Sequence, residues 1–147
     1  MPGPPPKAPG TARRRNATNY TVLPREGRQG VTPEWPLIDD LDLRVKLERA
    51  EALASDLRDE YEIEDNARVL KKLERQLEVA QEKVAVLELT ISESRRLEVE
   101  LWNELWTTPQ AKMWEELAWN RDVAQYVRWK VRAEMGNLAA AQEARQW

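Results

Sequence analysis

The stretch LKKLERQLEVAQEKVAVLELTI, Leu70–Ile91, sets Leu70, Leu73, Leu77, Ala80, Val84, Leu87 and Ile91 at successive spacings of 3, 4, 3, 4, 3 and 4. An apolar residue every 3.5 positions on average is the signature of a helix with a heptad seam. The remaining faces carry opposite charges at helical spacing, Lys71–Glu74 and Arg75–Glu78 among them, and read as solvated surface. An earlier seam runs through Leu43, Leu47, Ala50, Ala54, Leu57 and Tyr61 with spacings of 4, 3, 4, 3 and 4. One register cannot serve both. Continued past Tyr61, the first would put Glu64, Arg68, Lys71, Arg75, Glu78 and Glu82 on the apolar stripe, and burying unpaired charges costs far more than a bend.

The register therefore resets between Glu62 and Asn66, where Asp65 and Asn66 are candidate N-caps. The sequence predicts an antiparallel helical hairpin of coiled-coil type over 37–96, with helices at about 39–61 and 66–96. A single long helix with a stutter, paired with another copy, is the alternative. Either way each helix offers one apolar stripe, and so thin an element completes its burial by oligomerising. Leu43, Leu47, Leu57, Leu70, Leu73, Leu77, Val84, Leu87 and Ile91 are the candidate oligomerisation residues. Asp39, Asp40 and Asp42 precede the first helix, where acidic side chains favour the positive end of the helix dipole. An acidic triplet also suits Mg²⁺, but neighbouring helix residues point in different directions, so capping is the reading taken.

Downstream, Leu101–Arg132 (LWNELWTTPQAKMWEELAWNRDVAQYVRWKVR) holds Trp102, Trp106, Trp114, Trp119 and Trp129, five of the seven tryptophans, in a chain without Phe. So many indoles need a packed module or a stacking surface. They coincide with Leu, Met and Val at helical spacing, which favours packing. Residues 97–147 read as shorter helices: one ended by Thr107-Thr108-Pro109, a second capped by Thr108 with Pro109 at its first position, and a third over about 121–135 closed by Gly136. A last helix follows, capped by Asn137.

Residues 1–36 are rich in Pro, Gly, Arg and Thr and bury too little apolar surface to offset their ordering entropy, so a flexible arm is expected. Trp35, between two prolines, is the residue expected to dock that arm on the body. The net charge of −3 conceals an asymmetry. Lys7, Arg13, Arg14, Arg15, Arg25 and Arg28 face Glu26 alone in residues 1–30, a net +5 that leaves −8 on the rest. Basic arms of this kind bind phosphates through counterion release and reach into the minor groove; the same composition also describes a solubilising tail. A second candidate DNA surface is the stripe Arg121, Gln125, Arg128 and Arg132, spaced 4, 3 and 4 on a face away from Val123 and Val127, with Lys130 beside it. An ordinary solvent face has the same pattern.

The chain has no His and no Cys, which removes the usual zinc sites, Cys nucleophiles and Ser–His arrangements. Its five glycines form no phosphate-cradling loop, and no cofactor is expected. No stretch is long and apolar enough to span a bilayer. The first ten residues lack a signal peptide's apolar core, so a cytoplasmic protein is the default.

PEWPL (Pro33–Leu37), ELWNELWTTPQAKMWEEL (Glu100–Leu117) and VAQYVRWKVRAE (Val123–Glu134) together resemble the small terminase subunit of tailed bacteriophages, in the form carried by phages of actinobacteria. The resemblance covers about the first 37 residues loosely and Leu97–Trp147 well. It implies a viral DNA-packaging adaptor, without catalytic residues, in the host bacterial cytoplasm. Such subunits assemble into homo-oligomeric rings, bind double-stranded phage DNA and deliver it to the large terminase subunit, which holds the ATPase and nuclease. Members of the family usually continue beyond the helix in which this chain stops, which implies a truncated product. Two departures stand out: residues 1–36 cannot form the N-terminal helix-turn-helix many small terminases carry, and residues 38–96 resemble a coiled-coil insertion, the expected ring-forming hairpin. The expected fold is thus all-α in three parts: a flexible arm (1–36), a helical hairpin (37–96) and a tryptophan-rich cluster of shorter helices (97–147). A coiled-coil scaffold with no DNA role is the rival reading.

Overall fold

The computed structural model describes residues 20–146. These residues are all-α, with no strand among them. Five helices follow in order: α1 (Leu41–Ile63), α2 (Ala67–Leu105), α3 (Ala111–Glu116), α4 (Asn120–Glu134) and α5 (Leu138–Arg145). None is long and apolar enough to cross a membrane.

The caps explain where the helices begin. The Asp40 carboxylate accepts from the backbone N–H groups of Asp42 and Leu43 at 3.2 and 3.4 Å, opening α1. Asn66 accepts from Arg68 N–H at 3.0 Å and opens α2, so of the two candidates there it is Asn66, not Asp65, that caps. The link between them is only three residues long because the Glu64 carboxylate gathers the Asp65 and Asn66 N–H groups at 3.0 and 2.8 Å.

The second helix departs from expectation at its far end. No break occurs at Arg96; α2 runs 39 residues to Leu105, about 58 Å at 1.5 Å per residue. Nothing between Ile91 and Leu105 interrupts a helix, since the segment contains neither Gly nor Pro. Arg96 even bridges the expected boundary, binding Glu93 at 3.0 Å and Glu100 at 3.1 Å.

α1 packs on α2 more extensively than any other pair of helices. Residues 42–47 share a groove with residues 90–95, and residues 51–58 share one with residues 81–88. At the contact Ala50, Ala54, Leu73 and Ala80 are buried. Small side chains there let two helix axes approach closely. The larger seam residues Leu43, Leu47, Leu57, Leu70, Leu77, Val84, Leu87 and Ile91 flank that line and are only half-buried.

The main core lies at the other end of α2. Trp102, Trp106, Ala111, Val123, Ala124, Val127 and Val131 are buried together, with Trp35, Leu37, Leu97, Leu101, Leu105, Trp114 and Tyr126 against them. Thr108 does not cap α3. Its hydroxyl donates back to the Leu105 carbonyl at 2.7 Å, as Thr107 does to Glu104, so both threonines close α2. α3 starts only at Ala111, without a side-chain cap. Gly136 does close α4: at φ +98° its N–H binds Ala133 O while Asn137 N–H binds Arg132 O, both at 3.0 Å. This is the paired C-terminal bonding that favours glycine. Asn137 then caps α5 through Ala140 N–H at 3.1 Å.

Candidate functional site

The residues with the most chemistry converge where the segment before α1 crosses the tryptophan-rich end of the molecule. Residues 24–40 form a strap with no helix of their own. It begins with a turn in which Gly27 N–H binds Pro24 O at 3.1 Å, and Arg28 N–H then binds Thr108 O at 3.2 Å. Gly27 adopts φ +82°, and a Cβ built on it would stand 2.0 Å from the Thr107 carbonyl oxygen. Only glycine fits so close an approach.

Beneath the strap the indoles form a ladder. Trp35 meets Trp102 edge-on with centroids 5.3 Å apart, Trp102 meets Trp106 at 5.2 Å, and Trp106 meets Trp114 at 5.9 Å. This tilted geometry sets the positive edge of one ring against the negative face of the next. Trp102 Nε1 donates to the Pro33 carbonyl at 2.8 Å. Trp35 and Trp106 each have a buried Nε1 without a hydrogen-bond partner.

Arginines fasten the strap at both ends. The Arg28 guanidinium lies 5.4 Å above the Trp106 ring. It grips Glu115 of α3 in a two-pronged pair at 3.0 and 2.6 Å, and donates to Val31 O at 3.1 Å. That pairing holds the Glu115 carboxyl below the usual carboxylate range. Arg128 of α4 and Arg95 of α2 each place a guanidinium 5.7 Å from the Trp35 ring. Arg128 also binds the buried Glu98 carboxylate of α2 at 3.0 Å and donates to the Ile38 carbonyl at 2.7 Å. Arg132 binds Asp40, the α1 cap. Partial burial pushes the Asp40 carboxyl up, but the bond and charge of Arg132, with the two capping N–H groups, outweigh it and leave the carboxyl below its ordinary value.

These contacts redistribute the expected DNA-binding residues. Lys7, Arg13, Arg14 and Arg15 lie outside the described residues. Arg25 and Arg121 are exposed. Lys130 pairs with Glu134 at 3.2 Å. Arg28, Arg128 and Arg132 are engaged internally, so Arg121, Gln125, Arg128 and Arg132 do not make one open stripe. Arg128 turns inward because α2 brings a carboxylate to meet it. The arm likewise does not extend to residue 36, since residues 24–36 are docked, and Trp35 anchors them as expected.

Glu98 was the residue to find. Val84, Ile91 and Glu98 are successive positions seven apart, so extending the seam puts a carboxylate at an apolar position and calls for an inward cation. Asp40 is marked in the sequence only as a helix cap, and neither its pairing with Arg132 nor that of Glu115 with Arg28 has a comparable mark. Among the described residues no cluster of three or more Asp, Glu, His or Cys is placed to hold a metal ion. The groove between the start of α1, the middle of α2 and the end of α4 mixes both signs of charge. No protein family, curated protein or solved structure matches the chain.

Proposed function

We propose that this chain is a viral DNA-packaging adaptor of the small-terminase type, acting in the host bacterial cytoplasm. It oligomerises through α1 and α2, binds phage DNA and recruits the large terminase subunit. The observation that carries this reading is the half-exposed seam. In the proposal α1 and α2 form an antiparallel coiled-coil hairpin whose alanine line is satisfied internally. Leu77, Val84, Leu87 and Ile91 keep apolar surface for neighbouring copies in a ring, since apolar area held open to water favours association. The Leu77→Asp, Val84→Asp double variant should then disperse the assembly to smaller species; an unchanged native mass on size-exclusion light scattering sinks the claim.

DNA contact is assigned to the basic arm, Lys7 and Arg13 to Arg15, continuing through Arg25, with Arg121 as the exposed cation of α4. The internal engagement of Arg28, Arg128 and Arg132 favours the second reading, a coiled-coil scaffold without DNA affinity, because it removes three of the ten candidate contacts. A salt titration with duplex DNA separates the two. Binding that weakens steeply with salt supports the adaptor; no binding at any salt supports the scaffold.

A further inference from the structure

We propose that Trp102, Trp106 and Trp114 line a recognition groove for an extended, proline-flanked aromatic segment of a partner polypeptide, and that residues 24–38, with Trp35, are its built-in occupant. This inference stands apart from the DNA reading and holds for adaptor or scaffold alike.

The strap has the chemistry of a ligand rather than of a structural element. Among the described residues no backbone–backbone hydrogen bond ties positions 29–39 to the rest of the molecule. Apart from the Arg28 N–H bond to Thr108 O and the packing of Trp35 and Leu37 on the core, it is held by side chains reaching it from the helices: the Trp102 indole on Pro33 O, Arg128 on Ile38 O, and Glu115 on the Arg28 guanidinium. Pro33 and Pro36 fix their own φ near the extended value, so the segment loses little further freedom on docking. An indole N–H donated to a proline-side carbonyl, within a row of aromatic rings, is how aromatic grooves hold such segments. The outward face of the strap is unsupported, with Val31 89% and Ile38 69% exposed. Residues 24–38 belong to no helix, so their release would break no helical hydrogen bond.

The fit is also incomplete. Trp102 and Trp106 are adjacent rungs, both buried, yet the strap offers a carbonyl to one and leaves the other indole N–H unpaired. A segment that presented a second carbonyl would gain what the strap forgoes. The charges define the rest of the ligand: a cation for Glu115, an aromatic ring within reach of both the Arg95 and Arg128 guanidinium groups, and a free carbonyl for Arg128 after it.

The test uses full-length chain and a labelled peptide of residues 24–38, PREGRQGVTPEWPLI, read by fluorescence anisotropy. In the wild-type chain the tethered strap competes at an effective concentration on the order of millimolar. In Arg28→Glu the strap is repelled by Glu115 while the peptide keeps its arginine, so the peptide should bind at least about tenfold more tightly. A peptide with Ala in place of Trp35 should lose at least about tenfold. Circular dichroism reports whether each variant keeps its helices. Equal affinity for wild type and Arg28→Glu, or no binding to either, overturns the proposal. A stable Arg28→Glu dimer that excludes the peptide overturns it too, by giving the groove to the strap of a second copy.

Discussion

Ala118 holds φ at +55°, the only described residue other than glycine with positive φ. It ends α3 through Trp119 N–H to Trp114 O at 2.8 Å, a closure for which glycine is the unstrained choice. Ala118→Gly should therefore raise stability by about 1 kcal/mol, seen as a rise of a few degrees in the thermal midpoint; a lower midpoint would falsify the strain. Arg128 and Glu98 make the opposite case. Both are buried, and removing one partner strands the other charge. Glu98→Ala should cost about 3 kcal/mol in chemical denaturation, whereas Glu98→Leu combined with Arg128→Met should recover most of it. Equal losses in the two variants would mean the pair has no special weight.

At the scale of the element, Asp40 joins two helices, since it caps α1 and binds Arg132 of α4. Its carboxyl titrates below the ordinary range in the folded chain, so its stabilisation is complete above about pH 4 and is lost as the pH falls through the depressed value. Asp40→Asn keeps a competent cap but deletes the ion pair. The stability gap between wild type and variant should be full at neutral pH and close in acid; a gap independent of pH would place the effect in the cap alone. The helices themselves were legible wherever a local signal existed. The heptad spacing of Leu70–Ile91 marked α2, and Asn66, Gly136 and Asn137 marked ends that chemistry dictates locally. The missed features depend on partners remote in sequence. Thr108 looked like an N-cap until the Leu105 carbonyl claimed its hydroxyl. The end placed at Arg96 followed a change in apolar pattern, where the helix shows only a change of partner from α1 to α4.

For the whole molecule, the strap takes part of the basic N-terminal third into the fold. Arg28 belongs to the fold, while Lys7 and Arg13 to Arg15 precede the docked segment. Deleting residues 1–19 should leave helices α1 to α5 intact. In the adaptor reading it should also lower the slope of log affinity for duplex DNA against log salt by about 3 to 4, one unit for each cation removed. An unchanged slope would assign binding to the helices instead. Arg28, Arg128 and Arg132, three of the ten candidate DNA residues, were legible as charge and illegible as partnership: composition gives the number of arginines but not which carboxylate lies across the fold from each.

The unbroken course of α2 gives the molecule the mechanics of a lever. Its fulcrum is the Glu98–Arg128 bond, and the stretch back to Ala67 is an arm of about 46 Å at 1.5 Å per residue. A tilt of about 5° at that fulcrum carries the far tip about 4 Å, roughly the size of a side chain. Small repacking among the tryptophans would thus reappear, magnified, at the Ala67 tip of α2.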